Sequence, residues 1–232
     1  MNQALSLFTY SNNFEISPKW SVTSDVQERN FIKPVKQSQF FLRSQINRNL
    51  GQNWSAAAGM AYYLSSPGDP YGSSTLAVGE VRLHQDLNYK QKFSTYSIGH
   101  RYRMEERFIG KSINDSLISG FNFIQRLSYT VTFEYILFKS ATNLHSLSIK
   151  ASEGIFINAN KKIVYNMFDQ NRFYAGLNYQ ILKNVFIELG YLNLFQQRSS
   201  GDQYFNRDIA SLSVNHKLKI KPPGAAAQSR NE

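Results

Sequence analysis

The segment GHRYRMEERF, residues 99–108, places four charged side chains at alternate positions. They are Arg101, Arg103, Glu105 and Arg107. A β-strand sends alternate side chains to opposite faces, so these four share one face, while the other face is mostly aromatic or apolar. Such a charged face has three chemical uses: a structural plug of salt bridges, the lining of a substrate-binding or ion-selective lumen, or catalysis.

A second segment, GEVRLHQDLNY at residues 79–89, repeats the pattern with Glu80, Arg82, His84 and Asp86 on one face. A short turn at residues 91–93 would pair the two segments and place acids opposite arginines. Carboxylates and guanidinium groups in a narrow lumen must be paired, because each unpaired charge costs several kcal/mol. We therefore predict a lumenal charge network, mainly structural in role. Its members are Glu80, Arg82, Asp86, Arg101, Arg103, Glu105, Arg107, Glu134, Arg172 and Glu188.

The residues that usually carry catalysis or bind metals form no recognisable motif. Cysteine is absent, and His84, His100, His145 and His216 do not have the spacing of a metal site. No nucleophile elbow, phosphate loop or paired-carboxylate motif occurs in the sequence. The sequence therefore predicts no catalytic residue, no metal and no cofactor, and a protein that is not an enzyme.

Composition limits the class of protein without deciding it. The 232 residues suffice for one large all-β domain or two small domains. Tyr and Phe number 14 and 17, and no run of about 18 apolar residues predicts a transmembrane helix. The mean hydropathy of −0.41 suggests a soluble protein, yet membrane barrels alternate polar and apolar residues and average out as polar. The net charge of +10 fits nucleic acid, anionic lipid head groups or a basic lumen.

Alternating apolar residues indicate a continuous series of strands. They lie near residues 4–16, 20–31, 37–48, 53–64, 76–90, 94–109, 121–138, 144–157, 170–182, 185–198 and 206–219. Most match or exceed the nine to eleven residues that cross a bilayer at a tilt. The polar faces hold small and charged residues, whereas the apolar faces end in aromatic residues, which is typical of an interfacial girdle.

The connections alternate between short turns and longer loops, which is typical of an outer-membrane barrel. The longer ones are predicted at residues 30–36, 65–75, 110–116, 158–169 and 199–204. Eleven segments would place the termini on opposite sides, but single-chain bacterial barrels have even strand counts. We therefore predict an antiparallel up-and-down transmembrane β-barrel of about twelve strands, with ten as the second choice. It forms one domain over residues 1–220, followed by a disordered tail over residues 221–232.

Five sequence blocks also resemble a known family. EVRLHQDLNY, HRYRMEERF, SEGIFIN, FDQNRFYAGLNYQI and IELGYLNLF occur in this order. They resemble the Bacteroidetes family called domain of unknown function 2490, over roughly residues 15–218. The resemblance implies an outer-membrane β-barrel of about this length and supplies no reaction. The first residues, MNQALSLFTYSNN, show neither the basic start nor the apolar block of a secretory leader.

We expect a multi-pass barrel in the outer membrane of a Gram-negative bacterium. Its expected role is that of a structural or accessory subunit, in contact with outer-membrane lipid, lipopolysaccharide and a protein partner in the envelope. A narrow channel and a lipid-modifying enzyme remain as alternatives, and a soluble barrel or sandwich would bury the same apolar faces. The regular lipid-like faces argue against nucleic acid as a partner.

Overall fold

The computed structural model describes residues 2–142, 144–159, 167–197 and 203–219. These residues form eleven β-strands and no helix. The strands are β1 (Asn2–Glu15), β2 (Trp20–Phe31), β3 (Lys36–Gly51), β4 (Trp54–Ser65), β5 (Val78–Lys92), β6 (Tyr96–Ile113), β7 (Ser116–Lys139), β8 (Ser146–Asn158), β9 (Phe168–Leu182), β10 (Val185–Gln197) and β11 (Tyr204–Lys219). Within the described part of the chain, no helix has the length and apolar character to cross a membrane.

The strands form a closed barrel in which chain neighbours pair antiparallel and β1 pairs β11 in parallel. With eleven alternating strands, the first and last run in the same direction, so only a parallel pair closes the ring. The prediction of twelve or ten strands is therefore wrong for the described residues, as is that of a wholly antiparallel sheet. Parallel ladders also pair the backbone groups regularly, so closure does not require an even count.

The inside of the barrel is polar and the outside is apolar. Of the buried residues that the structure describes, sixteen are polar or charged and eight are hydrophobic, the reverse of a soluble core. In β6 the side chain of Glu105 is 3% exposed, whereas Tyr102 on the other face is 49% exposed. Outward positions of β9 follow the same rule, with Phe173, Leu177 and Tyr179 all exposed. The predicted assignment of strand faces is correct.

A small apolar cluster also lies inside the barrel. It consists of Leu5, Phe31, Leu194 and Ile209, which are almost completely buried. These residues come from the start of β1, the end of β2, the end of β10 and the start of β11. The cluster therefore packs beside the parallel seam, at one end of the barrel.

The two ends of the barrel differ in their connections. At the end where β1 finishes, which we call the short-turn end, the links comprise residues 16–19, 52–53, 93–95, 140–145 and 183–184. At the opposite, long-loop end they comprise residues 32–35, 66–77, 114–115, 159–167 and 198–203. Asn2 lies at the long-loop end and Lys219 at the short-turn end, as expected for eleven strands.

One predicted loop is instead a protruding hairpin. β6 and β7 continue to Ile113 and Ser116, so the loop predicted over residues 110–116 shrinks to two residues. Asn114 and Asp115 both have positive φ, of 47° and 58°, as a two-residue hairpin turn requires. The predicted disordered tail, residues 221–232, lies outside the described residues.

The seam register can be tested by cross-linking. Ser6 lies opposite Ala210 across the seam, and both side chains are exposed. Neighbouring strands lie about 4.8 Å apart, within the roughly 4.4–6.8 Å between Cα atoms that a disulfide needs. We expect the Ser6→Cys/Ala210→Cys protein, which has no other cysteine, to form an internal disulfide on oxidation. A shifted band on a non-reducing gel would report it.

The matched control is the Ser6→Cys/Ser211→Cys protein. Ser211 is buried and faces the lumen, so its sulfur would lie on the opposite side of the sheet from residue 6. Equal cross-linking of the two double variants would contradict the register.

Candidate functional site

The main buried charge cluster begins with one carboxylate shared by two arginines. Arg82 lies directly opposite Arg107 in the β5–β6 ladder, which by itself places two like charges side by side. Glu80, the next inward residue of β5, accepts hydrogen bonds from Nε of Arg82 at 2.5 Å and from Nε of Arg107 at 2.6 Å. Its second oxygen accepts from both Nη2 atoms, at 3.0 and 3.1 Å. One carboxylate thus offsets the repulsion between the arginines.

The cluster continues around the wall through Arg126 of β7. Its Nη2 lies 2.6 Å from Oε2 of Glu105, and its Nη1 lies 2.6 Å from Oδ2 of Asp169. A longer contact of 3.8 Å between Arg82 and Glu105 joins the two halves. A register shift in the β8–β9 ladder precedes Gln170 and places Asp169 among the buried residues. We call this set the upper network: Glu80, Arg82, Glu105, Arg107, Arg126 and Asp169.

Several predicted residues lie outside the upper network. Asp86 accepts two hydrogen bonds from Arg103, at 2.6 and 2.7 Å, in a separate buried pair. Glu134 pairs with Lys90 at 3.4 Å, and Glu188 with Lys150 at 3.1 Å. The ten predicted residues therefore line the same lumen but do not form one network.

Among the described residues, four lumenal arginines have no carboxylate within 4.0 Å: Arg29, Arg101, Arg172 and Arg207. Arg101 donates one hydrogen bond of 3.3 Å to Thr130, and its buried Nε has no partner. The buried Nε of Arg29 also has none. Arg172 lies 4.6 Å from the centroid of the Phe156 ring. Arg101 and Arg172 were predicted to join a paired network, but the register brings no carboxylate to either.

The sequence-based prediction missed other charged residues of the lumen. Arg43 bonds through Nε to Asp25 at 2.6 Å, and Arg29 and Arg207 lie near the upper network. Each sits at an inward position of its strand, so alternation alone could have suggested it. What the sequence could not supply is the register that brings strands far apart in the chain together.

A cavity of about 210 Å³ adjoins the upper network at the long-loop end. Its lining includes Tyr63, Gln39, Ser65 and six arginines. These arginines are Arg29, Arg82, Arg107, Arg126, Arg172 and Arg207. The start of the β4–β5 connection reaches across this end, where Gln3 of β1 donates a 2.6 Å hydrogen bond to the carbonyl of Gly68.

The short-turn end is wider and less crowded. Two cavities of about 450 and 570 Å³ share Lys90, Thr132, Glu134 and Lys150 in their linings. Nearby, the hydroxyl of Tyr174 donates to Glu188 at 2.6 Å. The lumen is therefore densely packed with arginine at one end and lined by lysine–glutamate pairs around larger spaces at the other.

The histidines make contacts that differ from those of a catalytic dyad. His84 is buried and bonds Gln45 at 3.1 Å, while His100 bonds the hydroxyl of Tyr129 at 2.8 Å. His216 bonds the amide of Asn184 at 2.9 Å. Among the described residues, no group of three or more His, Asp or Glu side chains is arranged to hold a metal ion.

Fold and lumen together define a closed all-β barrel with an apolar exterior and a charged, ion-paired interior. The profile of the family described as "Protein of unknown function (DUF2490)" matches residues 6–205, most of the chain. The chain therefore belongs to this family, as the sequence blocks indicated. No curated protein and no solved structure matches this chain.

A double-mutant cycle tests the pairing of Asp86 with Arg103. Their side chains are 3% and 9% exposed, so removing one partner leaves a buried charge without compensation. We expect Asp86→Ala or Arg103→Ala alone to lower the free energy of unfolding by about 3–5 kcal/mol. The double variant should lose clearly less than the sum. Denaturant unfolding in detergent would measure all three.

The control cycle combines Glu80→Ala with Arg101→Ala. Arg101 lies opposite Asn88, and Glu80 lies opposite Ile109, eight residues along β5 from Asn88. These two losses should add to within about 0.5 kcal/mol. Strong coupling between Glu80 and Arg101, or simple additivity for Asp86 and Arg103, would contradict the described contacts.

Proposed function

We propose that this protein is a multi-pass β-barrel of a Gram-negative outer membrane, with a structural or accessory role in the envelope. The observation that carries the proposal is the inverted polarity, with apolar side chains outside and charges inside. Exposed apolar residues occur on every side of the ring, among them Phe8, Leu42, Met60, Leu127 and Leu189. A soluble monomer rarely exposes apolar surface so continuously.

Aromatic side chains at both ends support a membrane location. At the short-turn end, Trp54 lies 4.7 Å from Tyr89, and Phe93 stacks on Tyr96 at 4.4 Å. At the long-loop end, Phe195 contacts Phe168 and Tyr204, at 6.2 and 4.9 Å between ring centroids. Aromatic rings prefer the interface between hydrocarbon and water, so two such belts match the borders of a bilayer.

The packed lumen favours a structural role over that of a wide pore. Barrels of about eight strands are filled by side chains, whereas 16–18 strands leave an aqueous channel. In this ring of eleven strands, the upper network and the apolar cluster around Leu5 occupy the long-loop end. Paired charges in this space leave little free path for a solute.

The protruding hairpin offers an apolar surface to which a protein partner in the envelope could bind. Among the described residues, the β5–β6 ladder ends at Ile109 and the β7–β8 ladder ends at Arg126, so the tip of this hairpin lies outside both ladders. Leu117 and Phe121 of this hairpin are 58% and 63% exposed. At the same end, the exposed Lys33 would face lipopolysaccharide phosphates if the long loops are extracellular.

A narrow anion channel is the second candidate. It is favoured by the cavities at both ends of the lumen and by the arginines without carboxylate partners. A lipid-modifying enzyme has less support, because the histidine contacts described above include no nucleophile–base pair. We therefore propose no catalytic activity.

The membrane-facing surface can be tested by introducing a charge. Leu177 of β9 and Val131 of β7 face outward near the middle of their strands. A charge on a lipid face costs about 2–4 kcal/mol for Arg or Lys at the midplane, and less for Asp. We expect Leu177→Asp and Val131→Asp to reduce insertion into liposomes, measured as loss of the heat-modifiable band on gels.

Thr130→Asp is the matched control. Thr130 neighbours Val131 but faces the lumen, where its hydroxyl accepts a hydrogen bond from Arg101. An aspartate there would gain a cationic partner and should insert nearly as well as the unchanged protein. Equal insertion of all three variants, or recovery of a detergent-free monodisperse protein from cytosol, would contradict a membrane location.

Conductance distinguishes the structural role from the channel. In planar bilayers we expect no large, steady conductance, because paired side chains fill the long-loop end. A pull-down from native membranes should recover a specific envelope protein. Replacing Leu117 and Phe121 by serine should weaken its capture, whereas serine at Leu189, on the far wall, should not. Large, steady conductance together with no stable partner would support the channel instead.

A further inference from the structure

We propose that the cavity at the long-loop end is a binding site for a phosphate group, either free phosphate or a small phosphomonoester. The proposed ligands are Arg29, Arg172 and Arg207. This site is independent of the membrane location and of the structural role proposed above, since it requires only the folded lumen.

The cavity carries more positive than negative charge. Six guanidinium groups line the cavity, whereas the upper network supplies three carboxylates, those of Glu80, Glu105 and Asp169. The excess of three positive charges corresponds to the three arginines of this cavity that have no carboxylate within 4.0 Å in the described part of the chain. Charges taken out of water without compensation are strongly unfavourable, so the site favours an anion.

Two of the three arginines are held in position by contacts with neutral side chains. Arg207 donates to Gln3 at 2.8 Å and to Gln196 at 3.1 Å, and it lies 4.4 Å from the Phe205 ring centroid. Arg172 lies over the Phe156 ring and beside the amide of Gln170. Guanidinium groups fixed by neutral contacts keep their charge available to a ligand, and less side-chain entropy is lost on binding.

Arg29 has a hydrogen-bond donor that is not satisfied. The buried Nε of Arg29 has no hydrogen-bond partner, although buried donors are almost always satisfied. Arg207 and Arg82 lie near it and, as cations, cannot accept a hydrogen bond, and the nearby Tyr63 makes none with this nitrogen. An oxyanion in the cavity would supply the missing acceptor.

The dimensions and chemistry favour phosphate over other anions. The volume of about 210 Å³ exceeds the roughly 30 Å³ of one water several-fold, but it is too small for a polymer or for a lipid with its acyl chains. A phosphate dianion offers several oxygens to planar guanidinium forks, and arginine binds it in bidentate fashion. A monovalent carboxylate or chloride would leave more of the excess charge uncompensated.

The experiment is thermal unfolding of the purified full chain, with sodium chloride replaced by inorganic phosphate at constant ionic strength. A ligand that binds only the folded state raises the unfolding midpoint, and above its dissociation constant the rise grows with the logarithm of its concentration. We expect such stabilisation by phosphate and by glycerol phosphate, and none by chloride. Response to inorganic phosphate alone would restrict the site to the free anion. Isothermal titration with phosphate should give one site per chain.

Arg172→Gln and Arg207→Gln are the test variants, and Arg48→Gln is the matched control. Arg48 lies on the outer face of β3, 5.2 Å from the Trp20 ring centroid, so its removal should leave phosphate binding unchanged. Each test variant should weaken phosphate binding at least ten-fold. Without phosphate, both should still fold and unfold cooperatively near the midpoint of the unchanged protein, because the loss of the neutral contacts is offset by removal of a like charge.

This last expectation separates loss of the site from loss of the fold. Equal stabilisation by chloride and phosphate, or an undiminished phosphate response in folded Arg172→Gln, would overturn the proposal. Neither result would bear on membrane insertion or conductance, so failure of the site is distinguishable from failure of the proposed function.

Discussion

Parallel pairing between β1 and β11 is the contact on which the rest of this structure depends. It runs over fourteen residue pairs, from Asn2 opposite Asn206 to Glu15 opposite Lys219. Without it the sheet would have two open edges, and unpaired strand edges are prone to associate with other chains. Closure also creates an enclosed inside. Only then does the alternation of side chains become a separation between an apolar exterior and a charged lumen.

The enclosed charges are arranged unevenly along the barrel. Near the long-loop end, arginines and carboxylates touch directly, and Glu80 serves two guanidinium groups at once. Toward the short-turn end, Lys90–Glu134 and Lys150–Glu188 pairs border larger cavities. A buried ion pair gains stability only when its geometry compensates for lost hydration, and the short arginine–carboxylate contacts include Arg43–Asp25 and Arg103–Asp86 as well as those of the upper network. The ion-paired side chains thus also fill the interior of this small closed barrel.

Pairing is incomplete at the long-loop end, and this links the stability of the barrel to its proposed binding site. Arg29, Arg172 and Arg207 lie there, and among the described residues no carboxylate pairs with them. Uncompensated charge in a protein interior often marks a functional site, because stability alone would favour neutral side chains there. The lumen therefore combines a structural network with an electropositive cavity beside it.

Much of the fold was predictable because it depends on a local property of the chain. Alternation with a period of two identified the strands within a few residues, for example 53–64 against the observed Trp54–Ser65. It also assigned Glu80, Arg82, Glu105 and Arg107 to one inner wall, and the sequence blocks indicated the family. Each of these inferences needs only residues close together in the sequence.

The strand count and the charge pairs were decided by the tertiary structure alone, because they depend on residues far apart in the chain. The strand count followed from a parallel seam between residues about two hundred positions apart, which no local pattern reveals. The partners of each charge followed from the register: Arg126 pairs with Glu105 and Asp169, whereas Arg101 donates a hydrogen bond to the neutral Thr130. Alternation states which face a side chain occupies, but not how far each strand slides past its neighbour. That displacement is set by the closure of the whole ring, so it determined which of the described charges have an oppositely charged partner and which do not.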